Sequence, residues 1–128
     1  MQARFLFIIR IALITGVTAF AALVLFQRSR GAPTLGAEGV AMLDTMRLVL
    51  WGLAGSAIAG VLFLRSRVAS ATPQQGATMT VIGWALGEGV ALFGVVQHYL
   101  GAPVTTLAVG VLTFVVALVL LPVPQART

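Results

Sequence analysis

Residues 78–100 read TMTVIGWALGEGVALFGVVQHYL, 23 positions with a single acidic residue, Glu88, near the middle. A helix of about 20 predominantly apolar residues is what crosses a bilayer core of roughly 30 Å. This stretch is therefore read as a membrane-spanning helix that carries one carboxylate. Small residues recur along it at Gly83, Gly87 and Ala91, with Gly94 close to the same stripe at about 100° per residue. Between lipid-embedded helices, such stripes permit close backbone approach.

Three further apolar runs flank it. One runs from Phe5 to Phe26, interrupted only by Arg10; another starts near Val40 and has its uncharged core from Leu48 to Leu64; the last runs from Val104 to Leu121. The expected spans are 5–26, 40–64, 78–100 and 104–121, a single all-α domain over 1–128 built as an antiparallel four-helix transmembrane bundle with short loops. Arg28-Ser29-Arg30-Gly31-Ala32-Pro33 ends the first run, and Arg65-Ser66-Arg67 ends the second. The polar stretch Thr72–Gly76 separates the second from the third, Gly101-Ala102-Pro103 makes a tight link, and Pro122 and Pro124 stop the last. The first run also carries Ala19-Phe20-Ala21, which superficially suits a signal peptidase. Its length and Arg10 favour a retained helix.

Composition points the same way. Of 128 residues, 59% are apolar and 9% charged, against about 45–50% and 25% in an ordinary soluble domain. With no cysteine, disulfides, thiolate nucleophiles and Cys-based metal sites are excluded. All the positive charge is arginine, scattered beside apolar runs, so Arg28, Arg30, Arg65 and Arg67 read as interface anchors and nucleic acid is not an expected partner. Arg4, Arg65, Arg67 and Arg127, with Arg10 just inside, outnumber Arg28 and Arg30, with Arg47 inside the second helix. That bias puts both termini on the cytoplasmic side, in a bacterial cytoplasmic membrane.

The hexapeptides Leu25-Phe-Gln-Arg-Ser-Arg30 and Leu62-Phe-Leu-Arg-Ser-Arg67 recur 37 residues apart. They read as convergence, an aromatic or aliphatic end followed by arginines being a common way for a helix to meet headgroups. On the second helix Gly52-x3-Ser56-x3-Gly60 forms another small-residue stripe, expected to pack against a neighbouring helix or a partner.

Glu88 carries the functional question, because an ionised carboxylate at that depth costs at least a few kcal/mol. Three readings are open: a buried charge pair with Arg10, a protonated hydrogen-bonding role between helices, or proton transport. Counted from the helix starts, Arg10 and Glu88 differ in depth by about 7 Å at 1.5 Å per residue, within reach of a guanidinium; Arg47 enters from the opposite side and lies farther off. Ala85-Leu-Gly-Glu-Gly-Val-Ala-Leu-Phe-Gly-Val-Val96 resembles the carboxylate helix of the rotor-ring proteolipid, subunit c, of ATP synthases. That resemblance implies a proton carrier at Glu88, with Phe93 and Gly94 as the aromatic–glycine pair. Gly87 stands where that family commonly has proline, so the likeness speaks to the packing of a carboxylate helix more than to rotation. The same helix is also similar to small bacterial four-helix membrane proteins.

His98, near the end of the third helix, is a candidate axial ligand to haem or chlorophyll, weighed against an interfacial imidazole bonded to water or headgroups. Trp51 and Trp84 lie inside helices and are expected to pack against neighbours; Asp44 and Arg47 are expected to pair locally. No nucleophile–base pair, phosphate-cradling loop or metal-ligand cluster is present in the sequence. The resulting expectation is a non-catalytic accessory or structural subunit of a larger membrane complex, a respiratory or photosynthetic assembly being one natural host. Its partners would be membrane lipid and other membrane subunits, with no soluble substrate, no cofactor and no metal. The alternative is proton or ion handling at Glu88.

Overall fold

Four helices and no strand make up the described residues: α1 (Gln2–Ser29), α2 (Ala37–Val68), α3 (Pro73–Tyr99) and α4 (Val104–Leu120). The structure, a computed structural model, describes residues 2–123. Pro124 and Arg127, read above as a helix stop and an interface charge, lie outside them. Helices α1, α2 and α3 are long and apolar enough to cross a membrane, and α4, also apolar, is shorter at 17 residues.

Each of the three long helices starts before its apolar run, by three to five residues, because polar residues continue the backbone ladder beyond the apolar core. At α3 the reason is local. Thr72 Oγ1 accepts from the Gln75 backbone N–H at 3.2 Å, and the Gln75 side chain accepts from the Thr72 N–H at 3.4 Å. This capping box, with Pro73 at the first helical position, begins the helix inside the stretch read as a linker. At the other end of α3, Gly101 N–H donates to the His98 carbonyl and Ala102 N–H to that of Gln97, a Schellman arrangement that needs the positive φ of Gly101, 122°.

The neighbours of α3 set the register. Gly83 faces Leu121, Gly87 faces Ala117, and Gly94 faces Thr106 and Gly110, so α4 runs antiparallel along it. Gly60 faces Leu86 and Gln97 bonds to Met46, so α2 is also antiparallel to α3. Arg10 lies over Trp84 and Arg28 reaches Ala102, so α1 runs parallel to α3. Helix α3 thus packs on all three others, and α2 also packs on α4; no comparable seam joins α1 to α2.

The core follows from that hub. Leu6, Val17, Val61, Trp84, Ala91, Phe114 and Leu118 are among the residues of one buried cluster, while Leu50, Ala54, Ala57 and Val90 form a second between α2 and α3. Outward faces are apolar as well: Leu48 is 72% exposed and Phe5 63%, and only 11% of the most apolar window of α1 is buried. Contiguous apolar surface on that scale is foreign to water-soluble monomers.

Candidate functional site: the carboxylate helix and its loop end

The α3 stripe Gly83, Gly87, Ala91 and Gly94 is buried. A Cβ on Gly94 would stand 2.5 Å from the Thr106 carbonyl oxygen and 3.2 Å from Gly110 Cα, and one on Gly110 would stand 2.8 Å from the Val90 carbonyl oxygen. Here backbone rests on backbone. The α2 stripe behaves differently. Gly52 and Ser56 are exposed, with nothing within 4 Å of the position a Gly52 Cβ would take, and only Gly60 touches α3, through Leu86 at 3.5 Å. Inside this chain α2 packs instead through Leu50, Ala54, Ala57 and Val61. A spacing of four marks where backbones can meet without saying which side of the helix the partner takes.

Glu88 is half-buried on the side of α3 that carries Trp84, Val95 and Leu92, the side that meets α1. No arginine nitrogen lies within 4.0 Å of a carboxylate oxygen among the described residues, so the expected Arg10–Glu88 ion pair is not formed. Arg10 instead sits with its guanidinium 5.7 Å from the centroid of the Trp84 ring. The reason is depth: Trp84 is one helical turn nearer to Arg10 than Glu88 is, about 6 Å at 1.5 Å per residue. The indole face offers the cation an electrostatic partner at its own level.

Trp84 has no exposed surface, and its Nε1–H donates to the Leu121 carbonyl oxygen at 2.8 Å. It thereby satisfies a carbonyl at the end of α4, where helix carbonyls lack intrahelical partners. Trp51 departs from expectation: it is 59% exposed on the outer face of α2 and packs little within the chain. Asp44 and Arg47 are both exposed and do not pair.

His98 is not the interfacial imidazole anticipated from its position. It is 6% exposed, and its Nδ1 lies 2.8 Å from the Ala102 carbonyl oxygen, so Nδ1 carries the donated proton. The same carbonyl accepts from Arg28 Nη2 at 3.4 Å, which ties α1 to the α3–α4 loop. Gln97, fully buried, donates from Nε2 to the Met46 carbonyl oxygen at 3.1 Å. Nothing in the hydropathy pattern singled out Gln97; a polar residue next to the last turn of an apolar helix was the available signal.

The two Phe-x-Arg-Ser-Arg ends build the same device on opposite ends of the bundle. Ser29 Oγ donates to the Phe26 carbonyl at 2.5 Å and Ser66 Oγ to that of Phe63 at 2.6 Å, while Arg30 and Arg67 each lie 5.1 Å from the ring of the preceding phenylalanine. Beside the first copy opens a cavity of about 540 Å³ between the α1–α2 loop and the end of α3. Among the described residues, no three His, Asp or Glu side chains come together in a way that could hold a metal ion. Comparison of the chain with protein-family models, with curated proteins and with solved structures gave no match.

Proposed function

We propose that the protein is an integral membrane protein, a four-helix transmembrane bundle with both termini cytoplasmic, that serves as a non-catalytic accessory subunit of a larger membrane complex. A respiratory or photosynthetic assembly is a natural host. The observation that carries this reading is the open small-residue face of α2, where Gly52, Gly55 and Ser56 are exposed and nothing lies within 4 Å of the place a Cβ would take on either glycine. Among lipid tails, burial from water no longer drives association, and close backbone approach at small residues does. Trp51, exposed beside that face, supplies a large flat contact of the type enriched at interface centres.

The test is a pull-down in mild detergent with the double variant Gly52→Leu/Ser56→Leu. Both positions are open within the bundle, so thermal stability should hold while partner recovery falls about tenfold or more, the equivalent of roughly 1.4 kcal/mol. Isolation of the wild-type chain as a monodisperse monomer, with nothing accompanying it, overturns the proposal.

One observation favours a second reading, proton or small-ion handling. The Glu88 carboxylate has neither an ion-pair nor a hydrogen-bond partner among the described residues and is partly open. Intramembrane carboxylates of that kind mark ion paths. On this reading Glu88→Gln abolishes proton flux into vesicles reconstituted with the protein; equal flux from wild type and variant removes it.

A further inference from the structure

The cavity beside the first Phe-x-Arg-Ser-Arg end is lined by Gln27, Arg28, Arg30, Leu35, Tyr99 and Leu100, with no acidic residue in its wall. Three of these side chains carry nitrogen donors, Tyr99 adds a hydroxyl, and the two leucines form an apolar flank. Arg28 is held in place by its bond to the Ala102 carbonyl oxygen, yet its Nε–H is buried without an acceptor. An unpaired buried donor is unfavourable, more so on a charged group, so the Arg28 guanidinium in the cavity wall is short of an acceptor. Arg30 supplies a second cation at the rim, its guanidinium parked on Phe26.

We infer that this cavity binds the phosphodiester headgroup of an anionic phospholipid. Guanidinium groups present forked N–H donors that match phosphate oxygens. The cavity lies at the end of α1, the depth at which helix-terminal arginines meet headgroups, and its leucine flank suits the glycerol and upper acyl carbons of a lipid. The inference rests on the membrane-embedded part of the proposed function and not on the accessory role. A free phosphate ion offers the same oxygens without an apolar tail, and the experiment separates the two.

Native mass spectrometry of the detergent-purified protein, titrated with phosphatidylglycerol, phosphatidylcholine or inorganic phosphate, reads the occupancy. Phosphatidylglycerol is expected to bind in preference to phosphatidylcholine. Arg30→Gln, on an exposed side chain that makes no interhelix bond, and Arg28→Lys, which keeps the charge and loses the forked guanidinium donors, should each weaken binding about tenfold, the loss of roughly one charge-assisted hydrogen bond. The pair Arg65→Gln/Arg67→Gln removes the same type of charge at the opposite end and should leave the affinity unchanged. An equal loss from that pair, or no preference for phosphatidylglycerol, overturns the assignment. So does competition by inorganic phosphate at equal concentration, which would make the ligand a free ion. Protein that stays in the aqueous fraction after carbonate extraction of membranes would instead remove the membrane reading itself, and this site with it.

Discussion

Gly94→Ala is expected to destabilise the bundle by about 3 kcal/mol, the upper part of the range for overpacking a tight interface. The added methyl would stand 2.5 Å from the Thr106 carbonyl oxygen, with Gly110 Cα at 3.2 Å behind it. Both obstacles are backbone, so no rotamer change relieves the clash, and α4 must move off α3. Separation at that point also disturbs Gly110, which itself has the Val90 carbonyl oxygen 2.8 Å from where its Cβ would be. Two glycines in the same chain calibrate the effect. A methyl on Gly83 meets the tip of the Leu121 side chain, which can rotate, and one on Gly16 meets nothing within 4 Å. Detergent-unfolding midpoints should therefore fall steeply for Gly94→Ala, modestly for Gly83→Ala, and stay near wild type or rise slightly for Gly16→Ala, alanine being the better helix former. Equal shifts at Gly94 and Gly16 would refute backbone contact as the basis of the α3–α4 seam.

Trp84→Ala should cost about 3–5 kcal/mol, as for other large-to-small changes at buried aromatic positions. Three losses coincide there. A fully buried indole leaves a cavity between α1, α3 and α4; the Leu121 carbonyl loses its donor; and the Arg10 guanidinium loses the ring beneath it. Trp84→Phe separates them, since phenylalanine keeps an aromatic face for Arg10 and gives up only the N–H and part of the volume. Its expected cost is about 1–3 kcal/mol, mostly the unsatisfied carbonyl. In a double-mutant cycle, Arg10→Met should couple strongly to Trp84→Ala and weakly to Trp84→Phe. Coupling of Arg10 to Glu88→Gln in place of Trp84 would restore the ion pair that the geometry does not show.

Much of this architecture is legible along the chain, because length and hydropathy decide whether a segment can span a bilayer. The helix count, the apolar cores and the depth of each charge all follow from positions along an axis. Rotation about that axis does not. The second stripe, Gly52, Ser56 and Gly60, has the same spacing as the third helix's, yet Gly52 and Ser56 are exposed and Gly60 is the glycine of the stripe that faces α3. Likewise, counting residues puts Arg10 within reach of Glu88, yet the two do not pair. What depth alone leaves out is a competitor at the same level, and Trp84 is that competitor. The start of α3 was available in Thr72, Pro73 and Gln75, a cap signature that polarity alone disguises as a linker. His98 and Gln97 were the hardest to read, since their partners are backbone carbonyls of a loop and of another helix, which leave no trace in side-chain identity.

The hub position of α3 also makes it the helix on which the cohesion of the other three depends. No seam comparable to those of α3 joins α1 to α2, so the first two helices of the chain have little packing of their own to hold them together. The 30–36 loop joins them, and α3 is the helix that packs on both. Helix α4 rests on the glycines of α3. On the proposed accessory role, an α1–α2 pair without a seam of its own is the part of the chain that another helix would meet most readily before α3 is in place.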